Sequence, residues 1–119
     1  MFLELNHHNL KATQFARMII YDIYKVSNYF PGHEKFAISS QVRRAAVSIY
    51  LNISEGCSRR SKSERIRFFE IARGSLVEVD AALDIAQDLN YFQKQNWPKL
   101  KENMISCFKI LSSLIQSQH

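Results

Sequence analysis

Apolar side chains recur every three or four residues along most of this chain, and this spacing is the feature that most limits its fold. In the segment 42–53 it places one apolar stripe along a helix, formed by Val42, Ala46, Ile49 and Ile53. The 119 residues include only three glycines and two prolines, so few positions interrupt a helix. The pattern predicts an all-α protein.

Short connections divide the periodic pattern into four stretches. The first covers about residues 9–29 and ends before Pro31, which disfavours helix at the residue preceding it. The second starts between His33 and Ser40, with a serine as the candidate cap of a late start. Gly56 is predicted to close this helix in the left-handed conformation.

The third and fourth stretches carry signals of their own for where a helix begins. Ser61 and Glu64 have the spacing of a capping box, and the helical period after them continues to about Tyr91. Asn96 is the candidate cap of the last helix, with Pro98 in its first turn. Four amphipathic helices with short connections predict an antiparallel up-down-up-down four-helix bundle.

This bundle is predicted to be a single domain spanning residues 1–119, with residues 1–8 loosely held. Gly74 lies inside the third helix, and we interpret it as a point where a neighbouring helix approaches closely. Cys107 lies on an apolar stripe and is predicted to be buried, whereas Cys57 follows a helix end and is predicted to be near the surface.

Basic residues are concentrated in the segment 41–74. Its eight arginines and lysines and three glutamates give it a net charge of +5, equal to the formal net charge of the whole chain. Such clustering favours a polyanionic partner, with phosphate oxygens contacted by guanidinium groups and by the free amides of a helix N-terminus. The candidate nucleic-acid-binding residues are Arg43, Arg44, Arg59, Arg60, Lys62, Arg65 and Arg67.

The same charges allow a purely structural interpretation, in which they form a solvated face with ion pairs such as Arg60 with Glu64. The third helix turns acidic from Glu78 to Asp88, which would suit a basic protein partner or another subunit. Asn52 and Glu55 are interpreted as a structural polar cluster near the end of the second helix, in preference to a catalytic pair.

Enzymatic chemistry finds little support in the sequence. A di-iron bundle needs two Glu-x-x-His motifs, and the one match is Glu4 with His7 in the N-terminal segment. Cys57 and Cys107 lack partners at zinc-binding spacing, and neither a Gly-x-Ser-x-Gly motif nor a phosphate loop is present. We therefore predict a protein that is not an enzyme and has no cofactor or metal.

Neither a secretory signal nor an apolar run long enough to span a bilayer is recognisable, which predicts a cytoplasmic protein without membrane contact.

Several linked blocks resemble a known family over about residues 10–114. They are Phe30-Pro31 with Glu34, the run QVRRAAVSI from Gln41 to Ile49, the run NISEG from Asn52 to Gly56, and the run ARGSL from Ala72 to Leu76 with Glu78. These blocks resemble the four-helix bundle proteins encoded within intervening sequences of bacterial large-subunit ribosomal RNA genes, sometimes called S23 ribosomal proteins. A related branch is the accessory variability protein of diversity-generating retroelements.

The resemblance implies a helical bundle that assembles into a barrel-like homopentamer. Its retroelement branch implies binding of RNA and of a reverse transcriptase through a basic surface. Together with the charge cluster, this favours an oligomeric protein that binds nucleic acid, RNA rather than DNA, mainly through phosphates. The alternative is a structural or protein-interaction scaffold that binds no nucleic acid.

Overall fold

A computed structural model of the protein describes residues 2–3, 5 and 10–119. Its four helices pack in a ring, each against the helix before and after it in sequence, with α1 closing the ring against α4. This confirms the predicted all-α four-helix bundle. None of the helices is long and apolar enough to cross a membrane, within the residues described. The helices are α1 (Lys11–Ser27), α2 (Ile38–Ser58), α3 (Lys62–Asp88) and α4 (Pro98–Gln118), with 3₁₀ turns at Gly32–Glu34 and Lys94–Asn96.

The predicted apolar stripes form the core. On α2, Ile49 and Ile53 are fully buried, and on α4 Cys107 and Leu111 are equally inaccessible to solvent. α2 and α3 share the most extensive contact, where small residues allow the two helices to approach closely. The small buried residues of this pair include Ala45, Ala46, Ala72 and Ala82.

The predicted role of Gly56 is wrong. α2 continues two residues further, to Ser58, and Gly56 does not adopt a positive φ. A Cβ at this position would lie 2.6 Å from Cε1 of Phe69, so the ring occupies the space that a side chain would need. Gly56 is therefore required by the packing of α3 on α2.

The predicted role of Gly74 is also wrong. It is exposed on α3, and a Cβ built there would have no atom within 4 Å. The left-handed residue that follows a helix is instead Asn90, with φ of 63°. Its amide donates to the Gln87 carbonyl and the Tyr91 amide donates to the Ala86 carbonyl, so α3 ends in a Schellman motif.

The start of α3 confirms Ser61 as the cap, but the return bond of a capping box, from the Ser61 amide to the Glu64 carboxylate, is not formed among the described residues. The Ser61 hydroxyl accepts a hydrogen bond of 3.2 Å from the Glu64 amide. The other two predicted caps are wrong. α2 begins after Ala37 and α4 begins after Trp97, and neither of these residues provides a side-chain cap. Asn96 lies in the preceding 3₁₀ turn, while Pro98 occupies the first turn of α4 as predicted.

Candidate nucleic-acid interface

The densest cluster of basic residues lies at one end of the bundle. The chain leaves α2 at Ser58 and enters α3 at Lys62, so the connection and the first turns of α3 lie together. We call this region the basic end. Its basic residues are Arg59, Arg60, Lys62, Arg65 and Arg67.

Arg65 serves the structure of the basic end. Its guanidinium group donates to Oε1 of Gln118 at 2.8 Å and to the carbonyl oxygens of Arg59 and Arg60. These bonds join the α2–α3 connection to the last turn of α4. Because these bonds engage Nε and Nη1, Arg65 holds the connection in place, and its Nη2 group is the part left to meet a ligand.

Arg59 and Arg67 contact the same aromatic ring. Their guanidinium carbons lie 4.8 and 5.7 Å from the centre of the Phe68 ring. Arg59 also pairs with Glu55 at 2.9 Å, and this is the one salt bridge in the described part of the chain. The pair between Arg60 and Glu64, named in the structural interpretation, is not formed, and the observed pair joins the last turn of α2 to the residue that follows it.

Arg60 and Lys62 are exposed, and neither side chain forms a hydrogen bond with any described residue. They lie beside the N-terminus of α3, whose Lys62 and Ser63 amides have no carbonyl partner within the helix. Cations and outward-directed amides thus share one surface. This arrangement can bind phosphate or carboxylate oxygens.

Arg43 and Arg44 lie elsewhere, about 24 Å from Arg59 along the axis of α2. Arg43 donates to Oγ of Ser27 at 2.6 Å and to Oδ1 of Asn28 at 2.9 Å, and so connects α2 to the end of α1. Arg44 is exposed on a different side of the helix. The structure thus brings five of the seven candidate residues together and separates these two.

Comparison with known proteins agrees with this architecture. The family model described as 23S rRNA-intervening sequence protein matches residues 8–113, which is most of the chain. The chain belongs to this family.

A solved structure from the S23 ribosomal protein family of Bacteroides thetaiotaomicron VPI-5482, described as a protein with unknown function, is similar to this chain. The two share 21% sequence identity and superpose with a TM-score of 0.78, over 87% of this chain and 97% of that one. At this identity the similarity supports the fold alone. No curated protein sequence matches the chain.

Asn52 of the block NISEG takes part in a structural polar cluster, whereas Glu55, predicted to belong to the same cluster, does not. Nδ2 of Asn52 donates to the backbone carbonyl of Ser48 at 2.9 Å and to its hydroxyl at 3.0 Å. The Ser48 hydroxyl lies 2.8 Å from that of Ser75, so the cluster links α2 to α3. Glu55 belongs to the basic end through its pairing with Arg59.

The described residues contain neither a cluster of metal ligands nor a reactive thiol. Within that part of the chain, no group of three or more His, Cys, Asp or Glu side chains could hold a metal ion. Glu4 and His7 lie outside the described residues. Burial raises the pKa of the Cys107 thiol to about 12, and it also raises the pKa of the half-buried Cys57. Both thiols are therefore weak nucleophiles at neutral pH.

Phe68 is the part of this interface that the sequence analysis missed. Helical periodicity assigns it to the core, whereas the structure leaves it half-buried between Arg59 and Arg67. Arg67 precedes it directly, but Arg59 belongs to the end of another helix. Only the way α3 packs on α2 brings both cations to this ring.

Proposed function

We propose that this protein binds RNA through the phosphate backbone at its basic end. Arg59, Arg60, Lys62 and Arg67 would bind phosphate oxygens, with Arg65 holding the connection in place. The observation that carries the proposal is the convergence of these cations with the free amides of α3. A site of this kind recognises charge and backbone shape, so binding would depend little on sequence and strongly on salt.

Phe68 adds a reason to favour RNA over duplex DNA. A partly exposed aromatic ring flanked by two guanidinium groups offers a stacking surface for an unpaired base. Arg44, exposed on α2, would extend the contact if the RNA covered about 24 Å of the helix. A reverse transcriptase acting on the same RNA is the protein partner that the resemblance to the retroelement branch suggests.

The test is binding of labelled structured RNA across a salt series, with duplex DNA measured in parallel. The variant Arg59→Ala/Arg60→Ala/Lys62→Ala is expected to lower the slope of log K against log salt by about one unit for each phosphate that it no longer neutralises. The control Lys35→Ala/Lys99→Ala/Lys109→Ala removes the same charge from exposed positions away from the basic end and should leave the slope unchanged. Absence of binding at low salt, or an equal decrease of the slope in the two variants, would contradict the proposal.

We also propose that the bundle self-associates as a homopentamer. Val77, Ile105 and Phe108 are each more than 40% exposed and line one apolar groove between α3 and α4. Soluble monomers seldom leave large contiguous apolar patches uncovered. A second copy of the chain would remove this surface from water and form a closed symmetric assembly.

Light scattering on the purified protein tests the assembly. A pentamer of 13.9 kDa chains has a mass of about 70 kDa. Ile105→Asp is expected to shift the mass towards the monomer, because burying an unpaired carboxylate in an interface is costly. A wild-type mass near 14 kDa at micromolar concentration would rule out the pentamer.

The alternative function is a scaffold that binds proteins and no nucleic acid. It is favoured by the acidic side chains that follow Gly74 on α3, which are Glu78, Asp80, Asp84 and Asp88. An assembled protein that binds no RNA at low salt would support this function.

A further inference from the structure

A second hollow lies at the end of the bundle opposite the basic end. It has a volume of about 370 Å³ and opens between the end of α1 and the α3–α4 connection. Three aromatic side chains, Tyr29, Tyr91 and Trp97, line it, and the buried side chains of Val26 and Phe92 contribute its apolar surface. We call this hollow the aromatic pocket.

The aromatic walls differ in how firmly they are held. The ring centroids of Tyr29 and Trp97 are 6.4 Å apart in an edge-to-face arrangement, and Tyr29 is 76% exposed. Tyr91 is fixed more firmly, because its hydroxyl donates to Oε2 of Glu34 at 3.1 Å and its ring packs on Phe30. The Schellman motif at the end of α3 also fixes its backbone.

The polar part of the lining consists of amides. Asn90, Gln93 and Asn96 all line the pocket, and none of their side chains forms a hydrogen bond with a described residue. Each amide presents both donors and an acceptor. The described residues that line this hollow carry no charge, so the pocket favours an uncharged planar group with polar edges.

We propose that the aromatic pocket binds an unpaired nucleobase. The aromatic rings would stack on the face of the base, and the amides would bond to its edges. Lys94 lies in the same 3₁₀ turn as Asn96 and would supply a cation for the attached phosphate. For a base within RNA this inference rests on the proposed RNA binding, whereas a free nucleotide presents the same chemistry without it.

The pocket contains its own spectroscopic probe, because Trp97 is the only tryptophan of the chain. A base stacked near it should quench its fluorescence. We would titrate the wild-type protein with adenosine monophosphate and with a short single-stranded oligoadenylate, measuring the fluorescence lifetime to exclude absorption artefacts. Saturable quenching by either ligand is expected. Quenching by both would indicate that a free nucleotide suffices, and quenching by the oligonucleotide alone would indicate a base within a strand.

Variants of two exposed tyrosines, Tyr29 and Tyr21, assign the quenching to this pocket. Tyr29→Ala is expected to raise the ligand concentration needed for half-maximal quenching roughly tenfold. Tyr29→Phe keeps the stacking ring and should bind like the wild type. Tyr21→Ala is the matched control, because Tyr21 is likewise exposed but lies on α1 and does not line the pocket. Trp97 also lines a separate hollow beside Leu83 and Leu100, which Tyr29 does not line. Quenching of equal affinity in Tyr29→Ala would therefore place the ligand in that hollow and overturn the proposal.

The failure of this proposal can be told apart from the failure of RNA binding at the basic end. Quenching by the mononucleotide should persist in the variant Arg59→Ala/Arg60→Ala/Lys62→Ala, because those cations lie at the other end of the bundle. Absence of quenching by both ligands would overturn the aromatic pocket and leave the salt-dependent binding unaffected. A change of Trp97 emission with a proline-rich peptide, but with neither nucleotide ligand, would also overturn it and indicate a peptide site instead.

Discussion

Replacing Ile49 by alanine is expected to lower the free energy of unfolding by about 2–5 kcal/mol. Ile49 is fully buried at the centre of the α2 stripe, where its side chain contributes to the single core shared by the four helices. Alanine removes apolar surface from the core and leaves a cavity that the packed neighbours fill only in part. Urea denaturation followed by circular dichroism measures the change, at one fixed protein concentration because assembly would add to stability.

Leu51→Ala is the matched control on the same helix. Leu51 is 55% exposed, so its truncation should change the free energy of unfolding by less than about 0.5 kcal/mol. If Leu51→Ala lowered the free energy of unfolding as much as Ile49→Ala, this would contradict a core confined to one chain. It would show that another chain covers this face of α2.

Replacing Gly56 by alanine is expected to destabilise the protein by about 1–3 kcal/mol. The added Cβ would lie 2.6 Å from Cε1 and 2.8 Å from Cδ1 of Phe69, a ring that is only 3% exposed and has little room to move. This strain should exceed the gain of about 1 kcal/mol that alanine brings to a helix interior relative to glycine. The thermal midpoint of unfolding would fall accordingly.

Gly74→Ala is the control, and its expected effect on the free energy of unfolding has the opposite sign. Gly74 lies inside α3 with open space where a Cβ would be placed, so alanine should raise the free energy of unfolding by roughly 0.5–1 kcal/mol. If both substitutions stabilised the protein, the close packing of Phe69 on Gly56 would be refuted. A destabilising Gly74→Ala would indicate that an adjacent subunit packs against α3 at this position.

The contact between Gly56 and Phe69 also has a consequence for the proposed function. Arg59 follows Gly56 by three residues, and Phe68 precedes Phe69 directly. The packing that brings α3 against α2 therefore also places the Phe68 ring near the Arg59 guanidinium group. Stability of this helix pair and the geometry of the basic end depend on the same contact.

The sequence by itself determined the four-helix architecture and the main core positions. Each apolar stripe reflects the 3.6-residue period of its own helix, and the Ser61 cap reflects a hydrogen bond to a residue three positions later. The clustering of arginines and lysines between α2 and α3 was equally visible, since these residues lie close together in the chain. Information that is local in sequence was sufficient for these features.

Only the tertiary structure decided what individual residues do at the helix contacts. It moved the close helix contact expected at Gly74 to Gly56, and it gave the left-handed position after a helix to Asn90. It also directed Arg43 to the end of α1 and brought Tyr29 to Trp97, 68 positions later in the chain. The physical reason is that such contacts depend on the rotation and spacing of packed helices, which the period of a single helix does not specify.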